Sequence, residues 1–272
     1  MKKIIHKILI LGAFLSFYGQ AVAQLPEVIH TVPISQPESV SIDRFNNIYI
    51  SDKKGNIVQY DPAGKFLQKY SPTKQITINS LESWQAIKIF AFSQDFQQVL
   101  FLDRFLYPAP AVFIRDLPVG FIRAATISID NHLWLIDDTD LSLKKYDVLQ
   151  KKIIIHSPLN LQLGNNTFDI NYIKEYQNHL FINDKNNGIL MFDVMGNYLK
   201  SIPIKNLNYF NFYNNELYYL ERDKVVFYDF YKLKERSIEL PAGPKSFILA
   251  TETKLFIISD ANMRIYSFKE SE

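Results

Sequence analysis

The sequence predicts an all-β fold, a six-bladed β-propeller built from four-stranded antiparallel blades. Three observations predict it. A short apolar and aromatic run ending in an acid recurs six times. Further strands with period-two alternation flank the run, and tight polar turns separate them. The recurrence averages about 42 residues, the length of a propeller blade.

The six runs occupy 48–52, 99–103, 133–137, 180–184, 217–221 and 256–260, and they end at Asp52, Asp103, Asp137, Asp184, Glu221 and Asp260. A strand is expected before the run, at 40–43, 126–130 and 210–213. A third is expected to end in an aromatic-Asp pair: Tyr60-Asp61, Tyr146-Asp147, Phe192-Asp193 and Tyr228-Asp229. Asp after an aromatic is a turn signal, because its carboxylate can bond its own backbone two residues on. Outer strands then follow at 65–70, 152–156, 198–204 and 236–240. The stretch 73–82 is expected to hold one turn of helix. The last unit shows three strands, and the segment 28–34 is expected to complete that blade from the N-terminus and close the ring. A two-sheet sandwich needs no sixfold pattern.

Residues 1–23 read as a secretory signal. Lys2, Lys3 and Lys7 form a basic region, residues 8–18 an apolar one, and Ala21-Val22-Ala23 a small-residue cleavage site. The apolar stretch is about half the roughly 20 residues needed to span a bilayer. The expected organisation is therefore a signal over 1–23 and a single propeller domain over 24–272, exported to the periplasm or secreted. The formal net charge of +2 includes the three signal lysines, so the remainder stands at −1. Its Lys and Arg are scattered, which argues against a nucleic-acid partner. The chain has no Cys, which excludes disulfides, thiolate metal sites and a Cys nucleophile. Hydrophobic residues at 47% and charged residues at 21% exclude a disordered chain.

The first unit runs Gln36-Pro37-Glu38-Ser39-Val40-Ser41-Ile42-Asp43, then Asn47-Ile48-Tyr49-Ile50-Ser51-Asp52, then Ile57-Val58-Gln59-Tyr60-Asp61 and Gly64-Lys65-Phe66. It resembles the NHL repeat of six-bladed propellers and the related gluconolactonase-like propellers. Asp260-Ala261-Asn262-Met263-Arg264-Ile265-Tyr266 in the last unit is similar to the same repeat.

The six repeated acids are best read as turn-fixing groups, one per blade. Of the histidines outside the signal, His132 and His179 occupy equivalent hairpin positions, and His30 and His156 lie in strand-like runs. Neither a zinc-binding His spacing nor a Gly-x-Ser-x-Gly elbow is present. The Asp137-Asp138-Thr139-Asp140 run lacks the glycine and distal glutamate of a calcium loop.

Candidate binding residues are those that should ring the mouth of the central channel: Glu38, Trp84, Arg123, Asp169, Asn208 and Lys245. They differ from blade to blade, as a specific pocket requires. The segment 105–110 inserts into one blade and is a candidate recognition loop. The expected function is a binding module for a protein partner or ligand at that mouth, acting as a monomer without a cofactor. The resemblance implies an alternative, a calcium-dependent lactonase or esterase with Ca²⁺ held by Glu38, Asp169 and Asn208. Arg123 and Lys245 depart from that pattern by opposing a cation. A carbohydrate-binding propeller, with Trp84 as a stacking platform, is a further alternative.

Overall fold

The computed structural model describes residues 27–164 and 167–268. The expected signal at 1–23 lies outside the described residues. Among the described residues no helix is long and apolar enough to cross a membrane.

The described strands form six four-stranded sheets. The first strand, β1 (Val28–Pro33), belongs to the last of them. Blade one is β2 (Pro37–Ile42), β3 (Ile48–Asp52), β4 (Ile57–Tyr60) and β5 (Phe66–Tyr70). Blade two is β6 (Ser80–Glu82), β7 (Lys88–Ser93), β8 (Gln98–Asp103) and β9 (Val112–Phe113). Blade three is β10 (Ile122–Ile127), β11 (Leu133–Asp137), β12 (Ser142–Asp147) and β13 (Lys152–Pro158), followed by one short helix, α1 (Leu159–Leu163). Blade four is β14 (Ile170–Tyr176), β15 (His179–Asp184), β16 (Gly188–Asp193) and β17 (Tyr198–Ile202). Blade five is β18 (Asn211–Tyr213), β19 (Glu216–Glu221), β20 (Lys224–Asp229) and β21 (Lys234–Glu239). Blade six is β22 (Phe247–Ala250), β23 (Lys254–Ile258) and β24 (Asn262–Ser267), with β1 pairing antiparallel to β24 as its outer strand.

Blade two differs from expectation. The stretch 73–82 contains no helix, and its end is the innermost strand β6. The second strand of this blade is β7, which ends in Ser93 rather than an acid. The run ending in Asp103 is the third strand. It carries the same apolar pattern because it too is buried on both faces.

The core is divided into six clusters, one between each pair of neighbouring blades. Alternation along a strand supplies two clusters at once. On β11, Leu133 and Leu135 pack toward blade two, while Trp134 and Ile136 pack toward blade four. On β15, Phe181 faces blade five, and Leu180 and Ile182 face blade three. A strand buried on both faces reads as a continuous apolar run, which is why these strands dominate the sequence pattern.

Asp side chains close the turns. Asp52 Oδ1 accepts the backbone N–H of Lys54 at 2.8 Å and of Asn56 at 3.0 Å. Asp184 Oδ1 and Asp193 Oδ1 accept paired amides in the same way. Gly188 opens β16 at φ 94°, where a Cβ would stand 2.4 Å from the carbonyl oxygen of Ile202, so the close approach of β17 requires glycine.

The channel axis is crossed by polar groups from blades two and four. Lys174 Nζ pairs with Glu82 Oε2, and Tyr172 OH donates to Glu82 Oε1 at 3.3 Å. Both ionic side chains are buried. Removing one member of a buried pair strands the other charge and costs about 3–5 kcal/mol, whereas replacing both with apolar groups is often neutral. Lys174→Met should therefore lower stability in urea unfolding by about that amount. The double variant Glu82→Leu/Lys174→Met should regain most of the loss, and a single variant of wild-type stability would contradict this account.

Candidate functional site

Each inner strand runs from a lower end, where it begins, to an upper end, where it turns back into the second strand. Residues from the turns of all six blades line one cavity at the upper end. The starts of the inner strands lie at the lower end, among narrower pockets.

Five of the six expected mouth residues lie at the lower end, and they do not share one cavity. Glu38 and Asn208 line a pocket of about 140 Å³ with Asn79, Asn171 and Tyr209. Lys245 lines a second pocket, of about 280 Å³, which Asn208 also borders. Its ammonium bonds Asp223 Oδ1 at 2.6 Å and the carbonyl of Gly243 at 3.0 Å. Arg123 donates from Nε to Asp138 Oδ1 at 2.7 Å and pairs with the second oxygen through its Nη2. That hydrogen bond raises the guanidinium above its ordinary pKa against the opposing effect of burial, and the charges of Asp138 and Asp169 add to it. Asp169 is tied to β15 through its backbone: its N–H donates to Asp184 Oδ1 at 3.3 Å, and its carbonyl accepts Lys185 N–H at 3.0 Å.

Trp84 lies at the opposite end. It follows β6 instead of preceding it, because β7 is the second strand of its blade and not the innermost one. The position that opens the inner strand of blade two is Asn79.

The upper cavity measures about 1060 Å³. Asp43 and Arg44 line it from blade one, Trp84 from blade two, Ile129 from blade three, Tyr176 and Gln177 from blade four, Tyr213 from blade five, and Thr251 and Glu252 from blade six. Lys174, held by Glu82, also borders it. The walls are fixed by specific contacts. Tyr176 stacks on Phe212 with ring centres 4.3 Å apart and donates its hydroxyl to the carbonyl of Asn214 at 2.7 Å. Glu175 accepts the indole N–H of Trp134 at 2.5 Å and the backbone N–H of Ile129 at 3.0 Å. Trp84 is half-buried, and its own indole N–H has no partner among the described residues.

The turns around this cavity carry exposed apolar side chains. Phe45, Ile87 and Ile129 rise from the inner turns of three consecutive blades. Phe105, Tyr107, Leu149, Met195, Tyr231 and Leu233 rise from the outer turns of blades two to five. Phe105 and Tyr107 belong to the segment singled out as an insertion. Large apolar residues inside polar turns are the sequence signal that marks this end.

The calcium set implied by the resemblance is not brought together. Asp169 does not line the pocket that holds Glu38 and Asn208, and its field acts on Arg123. Among the described residues no group of three or more His, Cys, Asp or Glu is arranged to hold a metal. The carboxylates of Asp52, Asp184 and Asp193 are occupied by backbone amides.

No family model matches the chain, and no curated protein matches it. Solved structures do. The Cps50 (Swd1) β-propeller domain of Myceliophteria thermophila superposes with a TM-score of 0.66 at 13% identity, covering 90% of this chain and 100% of that one. A streptogramin B lyase structure gives 0.58 at 13% identity, covering 89% and 88%. A catalytically inactive virginiamycin B lyase from Staphylococcus aureus, solved with quinupristin, gives 0.60 at 11% identity, covering 88% and 99%.

Two predictions follow from the geometry. The chain has two tryptophans, Trp134 fully buried and Trp84 half-buried on the cavity. Acrylamide should quench one component of the emission and spare the other, and Trp84→Phe should abolish the quenchable component. Calcium at millimolar concentration should leave the unfolding midpoint of the chain unchanged, in the wild type and in Glu38→Gln. A saturable rise reversed by chelator would instead reveal a folded-state calcium site. At these identities the likeness to solved structures is one of fold: this chain is a six-bladed β-propeller.

Proposed function

We propose that the chain is a binding module that receives a protein partner on its upper end. The observation that carries this reading is the wide axial cavity, lined from all six blades and surrounded by exposed apolar turn residues. Large exposed apolar residues gathered in the turns of one end of a folded domain favour an interaction site there. Trp84 supplies what a central anchor needs: a large ring, partial exposure and an unused N–H donor. The lower-end residues Glu38, Arg123, Asp169, Asn208 and Lys245 line narrower pockets or are paired with neighbours. Recognition therefore belongs at the upper end.

The sequence features of residues 1–23 support export, which would present this face to a partner in the periplasm or outside the cell. Kinship with NHL-repeat and gluconolactonase-like propellers rests on the repeat segments of blades one and six.

A photocrosslinking amino acid placed at single positions, in the cells that make the protein, tests the reading. Positions 87 and 129 lie on the upper end, and 96 and 161 lie on the lower. Protein adducts are expected from 87 and 129 and not from 96 and 161, and Trp84→Ala should reduce them. The reverse pattern would move the binding face to the lower end.

A further inference from the structure

The tripeptide Asp-Arg-Phe occurs twice, as Asp43-Arg44-Phe45 and as Asp103-Arg104-Phe105. The first follows the inner strand β2 and the second follows the third strand β8, so both turns stand on the upper end. They are built alike. Asp43 Oδ1 accepts the amides of Phe45 at 2.8 Å and Asn47 at 2.9 Å. Asp103 Oδ1 accepts the amides of Phe105 at 2.8 Å and Tyr107 at 2.9 Å. Each carboxylate is thus turned into its own loop. The arginine is left outside, with its guanidinium carbon 5.0 Å from the ring centre of Phe45 in one turn and 4.6 Å from that of Phe105 in the other. The two phenylalanines are 61% and 53% exposed. Neither guanidinium makes an ion pair among the described residues.

A chain of hydrogen bonds ties the two turns together. Tyr49 OH donates to Asp43 Oδ2 at 3.2 Å, and Gln59 Nε2 donates to Tyr49 OH at 2.7 Å. Gln68 Nε2 donates to Gln59 Oε1 at 2.5 Å and to the carbonyl oxygen of Arg104 at 2.5 Å. The chain crosses β3, β4 and β5 in sequence. Burial, reinforced by the charge of Asp43, raises the Tyr49 phenol above its ordinary range. A satisfied side-chain network of this kind is rigid. The two turns that carry the arginine-phenylalanine pairs are therefore tethered to one another before anything binds, which removes part of the ordering cost of association.

We propose that these paired turns are a prebuilt docking surface for an acidic protein partner, whose carboxylates meet Arg44 and Arg104 while its apolar side chains cover Phe45 and Phe105. The planar guanidinium fork suits a carboxylate, and Arg and aromatic residues dominate interface anchors. Arg44 also borders the cavity that Trp84 lines, so the first of the two turns adjoins it. This inference rests on the reading that the upper end is the binding face.

The test uses the full chain, in the cells that make it, with a photocrosslinker at position 87 in the inner turn of blade two. The protein adduct should fall by about tenfold in Arg44→Glu/Arg104→Glu and should weaken steadily as salt is raised, as charge-steered contacts do. Arg44→Lys/Arg104→Lys should retain part of it. The charge-reversed variant should keep the wild-type unfolding midpoint, because both side chains are exposed. An adduct that survives charge reversal and high salt overturns the acidic partner while leaving the binding face intact. An adduct of twice the chain's own mass identifies a second copy and overturns it as well. Adducts from 129 but none from 87 place the partner away from these turns, and no adduct from either position ends both readings.

Discussion

Every blade must bury both of its faces, and most of the molecule follows from that constraint. A lone four-stranded sheet would expose one apolar side to water. Here the odd and even side chains of one strand serve two different neighbours, as Trp134 and Leu135 do on β11. No cluster belongs to a single blade, so no blade is complete by itself. The inner strands then converge with small and polar side chains such as Ser39, Ser41, Ser80 and Ala125, and the axis is left to a few hydrogen-bonded groups.

This constraint also explains what could be read in advance. Second strands buried on both sides appear as unbroken apolar runs, and the turns after them carry Asp because its carboxylate bonds the amides that the turn leaves free. Both are local signals, so the second strands at 48–52, 133–137 and 180–184 are legible in the sequence. Blade two misleads for the same reason. Its innermost strand pairs over only Ser80, Leu81 and Glu82, too short to show alternation, while β8 carries the pattern of a second strand. Trp84 accordingly follows the inner strand and stands at the upper end of the axis.

The candidate site was less legible than the fold. Which end of a channel is wide depends on how six turns sit around an axis, and no single turn encodes that. Cross-blade contacts such as Lys174 with Glu82, or Trp134 with Glu175, join residues dozens of positions apart with no spacing rule. The duplicated Asp-Arg-Phe, by contrast, stands in plain view in the sequence. Its meaning depends on the bonds through Tyr49, Gln59 and Gln68, which only the folded blade supplies.

The pairing of β1 with β24 matches Val28 to Tyr266 and Pro33 to Asn262. These partners lie roughly 230 residues apart along the chain. Until residues 262–267 have emerged, β1 is a strand with an open edge, and Val32, buried in the finished fold, is uncovered. Contacts this far apart along a chain form late and slowly. The sheets of blades one to five each draw their strands from consecutive chain, but the sixth joins distant segments, and the interval before it forms is when the nascent chain is most vulnerable to pairing with a neighbour.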